Sequence, residues 1–305
     1  MTSQAALVPD LRSYITDETF IALGYPSNSW QRRILWPFAW PPAHQFAKLA
    51  AAVDDDVERH GVCSAANRLL ARFVRSVEVY GEDNIPLEGP LLIASNHPGA
   101  YDSVAIIGNL PRNDLKVIAS GVPFLEGLPA LKQHLIYTPG EVHGRMSAVR
   151  GLIRHMKERG VSLIFPSGIV DPDPDVLPGA EQALEAWSPS LELVLRKAPE
   201  TKVQVTIVSG VLAPSCLRNP IAKLPKVEWR QRKMAEFLQV MQQLFFPGRF
   251  NLNPRISFGV PRTIEELRSE GDVNGVTGVI VDQARQLLIE HIARRDKIYG
   301  DTKSN

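Results

Sequence analysis

From residue 42 onward the chain alternates between two hydrophobic rhythms. Phe46, Leu49, Ala50, Val53 and Val57 recur at intervals of three and four, which gathers them on one face of a helix that Gly61 ends. Ser64 reads as the cap of a second helix carrying Ala66, Leu69, Leu70 and Phe73. Ahead of these two helices the pattern has no period. Pro9, Pro26, Pro37, Pro41 and Pro42 predict irregular chain through the first forty residues. After Ser76 short apolar runs take over: VEVYG, LLIAS after Pro90, Leu115 to Ala119, LIYT, VSLIF, Val203 to Val208 and a run near Ile256 read as strands. Helical spacing lies between them, over Ser103 to Leu110, Met146 to Met156, Ala180 to Trp187, Leu191 to Arg196 and about Val227 to Leu244, with a C-terminal helix from about Val276. Strands separated by helices predict an α/β fold, a single mixed sheet flanked by helices with an N-terminal two-helix appendage. Residues 1–74 form the irregular segment and appendage, and 75–305 the α/β domain.

Composition narrows the function classes. The chain has 305 residues, 44% hydrophobic and 22% charged, which excludes a disordered polymer, a collagen-like fibre and a coiled coil. Its 34 Lys and Arg nearly cancel 33 Asp and Glu, so bulk nucleic acid is not an expected partner. Cys63 and Cys216 are too few for a disulfide framework or a four-cysteine metal site and read as buried, reduced thiols of a cytoplasmic protein. MTSQAALVPD lacks the basic start and apolar run of a signal peptide. The longest runs without Asp, Glu, Lys or Arg, 34–47 and 203–217, are broken by proline or glycine, and neither reads as a membrane span.

Chemistry concentrates at Ser95-Asn96-His97-Pro98-Gly99-Ala100-Tyr101-Asp102. A buried-type strand ends at Ser95, Pro98 and Gly99 turn the chain, and a helix begins near Asp102. Such a turn presents His97 at its mouth and lets the Asp102 carboxylate fold back to the ring. A carboxylate on one imidazole nitrogen fixes the tautomer and strengthens the other as a general base. The plainer role for Asp102 is a helix cap. His291 and Asp296 share the five-residue spacing but lie in continuous helical pattern, where their side chains point about 140° apart. His291 also falls on the apolar stripe of Ile280, Ala284 and Leu287, as a core histidine would.

The strand followed by Asn96-His97, four residues and Asp102 resembles the signature of the glycerolipid acyltransferase superfamily, which includes lysophosphatidic acid and glycerol-phosphate acyltransferases. The helix through Arg159, Gly160, VSLIF and Phe165-Pro166-Ser167-Gly168 resemble that family's helix, strand and Phe-Pro-Glu-Gly turn. The resemblance runs from about Val77 to Pro214. It implies His97 as general base on an acceptor hydroxyl and Asp102 as its orienting partner. The donor would be acyl-CoA or acyl-ACP, with no covalent enzyme intermediate, no metal and no bound cofactor. It also implies substrate contacts from Asn96, Phe165, Pro166, Ser167 and Gly168, with Arg145 standing in for an arginine that meets an acceptor phosphate. The expected reaction moves a fatty acyl group to glycerol phosphate, a lysophospholipid or a related lipid alcohol. A non-catalytic fold relative that binds acyl chains or a partner, and a His-Asp thioesterase, are the alternatives.

The departures bear on the acceptor. Ser167 stands where the family usually has Glu, and Ile169-Val170 where many members have Thr-Arg, followed by the acidic, proline-rich DPDPD. TIVSGVLAP only loosely echoes the family's apolar strand with proline. Two stretches bear on partners. Trp30 to Trp40, aromatic and basic, suits either a membrane interface or packing across the domain. Lys223 to Arg249 suits either the wet face of a helix or contact with anionic lipid or an acidic carrier protein. The expected location is therefore cytoplasmic, peripheral on the cytoplasmic face of a membrane.

Overall fold

The structure is a computed structural model. It describes all residues except 1, 23, 26, 100, 121–122, 139–141, 225–226, 271–274 and 302–305. The apolar runs become seven strands: β1 (Glu78–Tyr80), β2 (Leu91–Ser95), β3 (Leu115–Ser120), β4 (Leu135–Thr138), β5 (Val161–Ile164), β6 (Lys202–Ser209) and β7 (Arg255–Phe258). They form one sheet in the order β1-β7-β6-β2-β5-β3-β4. All pairs are parallel except β6 with β7, so the sheet is mixed as expected.

Strand β2 explains why its sequence shows no alternation. Every residue from Leu91 to Ser95 is buried, because both faces of the sheet are covered by helices. Leu91 and Ile93 face a core with Leu70, Phe73, Ile106 and Ala235. Leu92 and Ala94 face the opposite core, with Leu152, Leu191, Val205 and Ile280. After β2 the chain builds β3, β4 and β5 on one side of it and then crosses to build β6 and β7 on the other. The carboxyl end of β2 is therefore a topological switch point, where open α/β sheets leave a crevice.

Three helices precede the sheet: α1 (Thr2–Ala22), α2 (Trp30–His60) and α3 (Val62–Phe73). Helix α4 (Asp102–Gly108) follows β2, and α5 (Pro123–Glu126) and α6 (Val142–Lys157) lie on either side of β4 in sequence. Helices α7 (Ala180–Leu184) and α8 (Ser190–Lys197) precede β6. Between β6 and β7 come α9 (Pro214–Leu217) and α10 (Glu228–Phe245), and α11 (Ile264–Ser269) and α12 (Gly275–Asp301) follow β7.

Most of the first forty residues lie in α1 and the start of α2, which corrects the expectation of irregular chain; Pro26 lies outside the described residues. Pro9 lies inside α1, and Pro37, Pro41 and Pro42 lie inside α2. An interior proline costs a helix about 3 kcal/mol. Burial offsets it here: Leu11 and Ile15 of α1 pack with Ala43, Ala47 and Ala51 of α2 and with Leu128, and a buried aliphatic side chain contributes about 1.5–3 kcal/mol. Arg32 closes the connection by donating to the Tyr25 carbonyl and to Asp17. Ser64 caps nothing. It lies inside α3, which begins after Gly61, whose φ of 82° turns the chain between α2 and α3. Cys63 and Cys216 are free and buried. Among the described residues no helix is long and apolar enough to cross a membrane.

Candidate active site

His97 leaves the sheet two residues past the end of the β2 ladder. Its Nδ1 lies 2.7 Å from Asp102 Oδ2. Asp102 is the first residue of α4 and is buried. The turn brings the two together by placing its own amides on the carboxylate: Gly99 N donates to Oδ2 at 3.0 Å, and Ser103 N donates to Oδ1. Asp102, in the first turn of α4, thus takes one of its helix's free amides and holds the imidazole at once, while Tyr101 is the N-cap residue. A buried carboxylate needs such donors. The His97 side chain keeps 30% of its surface exposed, and Phe165 stacks on the ring at 4.3 Å between centroids. Burial works against the imidazolium, but the charge and hydrogen bond of Asp102 outweigh it, raising the His97 pKa to about 9.

The DPDPD segment after the Phe165 turn supports this arrangement. Asp171 Oδ2 accepts from the His97 amide at 2.8 Å, and the Asp171 amide donates to the His97 carbonyl at 2.7 Å. Asp173 is fully buried and accepts four backbone amides, those of Asp175, Gly210, Val211 and Leu212. Burial nevertheless pushes its carboxyl up to about 6. Asp175 pairs with Arg255 of β7 and accepts from the Ser209 hydroxyl. Each aspartate therefore fastens a different part of the mouth, while the prolines between them restrict φ and remove two amides from the account.

Helix α10 closes the site from the other side. Gln239 accepts from the Ala213 amide and donates to the Val211 carbonyl, and Gln243 accepts from the Tyr101 hydroxyl and donates to the Phe73 carbonyl. Both glutamines are fully buried. One turn before Gln239's face begins, Glu236 sits over Gly99. A Cβ at residue 99 would meet its Oε1 at 2.8 Å, so the turn admits this carboxyl because residue 99, at φ +135°, is glycine. Burial and then the Asp102 charge lift Glu236 to about 7, opposed by His97.

The remaining expected site residues divide. Phe165 lies at the dyad, and Pro166 is buried beside it with its carbonyl accepting the Ser188 amide. Ser167 and exposed Gly168 form the tip of the turn, with the Ser167 hydroxyl donating to the Ile169 carbonyl. Asn96 departs from its expected role as a substrate contact. It is buried, its Nδ2 donates to the Val208 carbonyl and its Oδ1 accepts the Val208 amide. Arg145 lies in α6, and its side chain is outside the described residues. The amides of His97, Gly99, Asp102 and Ser103 all have acceptors, the first on Asp171 and the other three within the turn.

Other histidine contacts lack this setting. His291 is buried between the Ser209 and Ser257 hydroxyls, at 2.7 and 2.8 Å, and burial drops its pKa to about 3. It lies on α12 as expected, and the Asp296 side chain is outside the described residues. His60 meets Asp56 at 2.8 Å, but both are on the open surface of α2 and Asp56 is shared with Arg68. That pair borders a shallow depression of about 290 Å³ between α2 and α3, away from the dyad.

Sequence reasoning singled out His97, Asp102 and Phe165, which the structure brings together, and passed over Asp171, Asp173 and Glu236 beside them. The alternation of Asp with Pro was a visible signal for the first two. Glu236 had none, because it stands 134 residues beyond Asp102 in a helix read by its surface charge.

A family model described as Acyltransferase matches residues 76–207. No curated protein matches the chain. Among solved structures, the chain is similar to the crystal structure of the 1-acyl-sn-glycerophosphate (LPA) acyltransferase PlsC from Thermotoga maritima. The identity is 13%, the TM-score 0.46, and 94% of each chain is covered. The matched stretch, residues 76–207, is the one that carries His97, Asp102, Phe165 and the three aspartates.

Proposed function

We propose that the protein is an O-acyltransferase that moves a fatty acyl group from acyl-CoA or acyl-ACP to a hydroxyl of glycerol phosphate, a lysophospholipid or a related lipid alcohol. The observation that carries this reading is the 2.7 Å contact of His97 Nδ1 with buried Asp102 at the carboxyl end of β2. With Nδ1–H held by Asp102, Nε2 is the nitrogen left for chemistry. It takes the proton of the acceptor hydroxyl as that oxygen adds to the thioester carbonyl. The tetrahedral intermediate collapses by breaking the carbon–sulfur bond, and the imidazolium returns the proton to the departing thiolate. Asp102 stabilises the imidazolium between these steps. A thioester suits direct transfer because its carbonyl is poorly stabilised by resonance and its thiolate leaves readily.

Docking on the cytoplasmic face of a membrane belongs to the same proposal. Trp30, Ile34 and Phe38 project from α2 with 66%, 58% and 75% of their surface exposed. Lys223, Arg230, Lys233 and Arg249 are exposed around α10, where anionic lipid or an acidic carrier protein would meet them.

The test supplies purified protein with radiolabelled acyl-CoA or acyl-ACP and a panel of glycerol phosphate, lysophospholipids and lipid alcohols. Labelled ester that disappears in His97→Ala supports the transferase. Free fatty acid alone makes the protein a thioesterase, and donor binding without turnover makes it a binding relative. Transfer within about threefold of wild type in His97→Ala overturns the base assignment, because general-base catalysis contributes about 10²–10⁴-fold.

A further inference from the structure

Glu236 presents a buried acceptor that nothing in the protein uses. Its Oε1 is shielded from solvent and receives no hydrogen bond. The amide of Gly99, the residue that Glu236 overlies, donates to Asp102 instead. One turn earlier on the same face of α10, Arg232 Nε is also buried without a partner. A buried polar atom left unpaired is unfavourable, and two of opposite sense on one helix face beside a general base point to a ligand that satisfies both.

The chemistry of that ligand follows from its surroundings. Glu236 needs an O–H or N–H donor. Arg232, Lys233 and His97 all act on Glu236 as positive charges, which disfavours an ammonium group and leaves a hydroxyl. The reacting hydroxyl cannot serve, since its single proton is directed to His97 Nε2. The donor is a second hydroxyl, whose oxygen can accept from Arg232 Nε.

We propose that Glu236 selects the acceptor: its Oε1 accepts a hydrogen bond from a second hydroxyl of the acceptor molecule, so the site takes polyol head groups in preference to monohydric alcohols. This rests on the transferase reading. Glu236 is a specificity residue that orients the reacting hydroxyl toward His97, and it takes no part in the bond changes.

The experiment compares two pairs of acceptors, each differing by one hydroxyl. They are sn-glycerol 3-phosphate against 2-hydroxypropyl phosphate, and 1-monooleoylglycerol against 2-hydroxypropyl oleate. Wild type should prefer the diol of at least one pair by about tenfold or more in kcat/KM, as expected for a hydrogen bond to a charged group. Glu236→Ala should bring that preference within about twofold and leave the donor KM within about twofold. Glu236→Gln, which retains an accepting oxygen, should keep most of the preference. If Glu236→Ala fails to fold, Glu236→Leu is read in the same way. A preference that survives in the variant, or equal losses on diol and mono-ol, overturns the inference. Equilibrium binding of the same acceptors without donor separates the two readings. Diol binding that weakens about tenfold in Glu236→Ala, with no ester formed by wild type, retains Glu236 and discards the transferase. Ester formation with equal diol binding to wild type and variant, or no diol bound more tightly than its mono-ol, discards Glu236.

Discussion

Asp171 and His97 are joined through their backbones in both directions: the Asp171 carboxylate takes the His97 amide at 2.8 Å, and the Asp171 amide gives to the His97 carbonyl at 2.7 Å. His97 is thus fixed at its main chain by one aspartate and at its ring by another. The segment after β5 and the end of β2 form one unit, although 74 residues separate them. Burial raises the Asp171 carboxyl above its ordinary range, with the His97 amide opposing that rise.

The geometry predicts different outcomes for two changes at Asp171. Its Oδ2 holds His97 while its Oδ1 is buried without a partner. Asp171→Asn keeps a carbonyl oxygen for the His97 amide and should retain transfer within about threefold. Asp171→Ala leaves that amide unpaired and should lower kcat by about tenfold or more, a cost of about 1–3 kcal/mol. Steady-state kinetics of the two variants provide the check; equal activities would separate Asp171 from the positioning of the base.

His97 must be neutral to accept a proton, and its pKa is raised to about 9. The rate therefore increases as pH rises through that value, and kcat/KM should climb from pH 7 toward an inflection near 9. Asp102→Asn removes the charge that raises the pKa, so the inflection should move to lower pH while the maximal rate falls. A pH–rate series on both proteins would read this directly. An unshifted inflection would assign it to another group.

Asp173 predicts a loss of stability. Asp173→Ala would strip four backbone amides of their acceptor, two of them buried, a change expected to cost about 2–4 kcal/mol. The folded-state pKa of about 6 lies above the ordinary carboxylate value, so the folded protein binds the extra proton between them. Its contribution is largest below the ordinary value and declines as pH rises through about 6. The gap between wild type and variant in urea unfolding should narrow over that interval and then stay level.

Membrane docking is checked on the most exposed aromatic residues of α2. Trp36 stacks on Phe20 and Trp40 on His44, so changing either also alters packing. Trp30 and Phe38 are the cleaner choice. The double variant Trp30→Ala and Phe38→Ala should reduce flotation with anionic liposomes severalfold while leaving the thermal midpoint within about 2 °C. Undiminished flotation would remove this face of α2 from the docking surface.

The sheet was legible because its signals are local. LLIAS between Pro90 and His97 can be placed as a doubly covered strand without knowing its neighbours, and the Pro98-Gly99 turn separates His97 and Asp102 from the helical spacing of His291 and Asp296. The N-terminal helices were not legible, because proline reports local cost while Leu11, Ile15 and Ala47 stabilise the pair through contacts across the chain. The same reason hid the role of α10. Gln239, Gln243 and Glu236 read as the polar side of a basic helix, yet the two glutamines are fully buried and fasten α10 to four different backbone and side-chain groups.

Asn96 has a further consequence for the end of β2. Its carboxamide meets both the amide and the carbonyl of Val208, imitating one more rung of the β2–β6 ladder with a side chain. The main chain is thereby released one residue early and can swing His97 out of the sheet without leaving Val208 unpaired. Aspartate has the length but no donor, glutamine has the donor but one carbon too many, and leucine has neither group. The position accepts few replacements because a side chain there completes the sheet in place of the backbone.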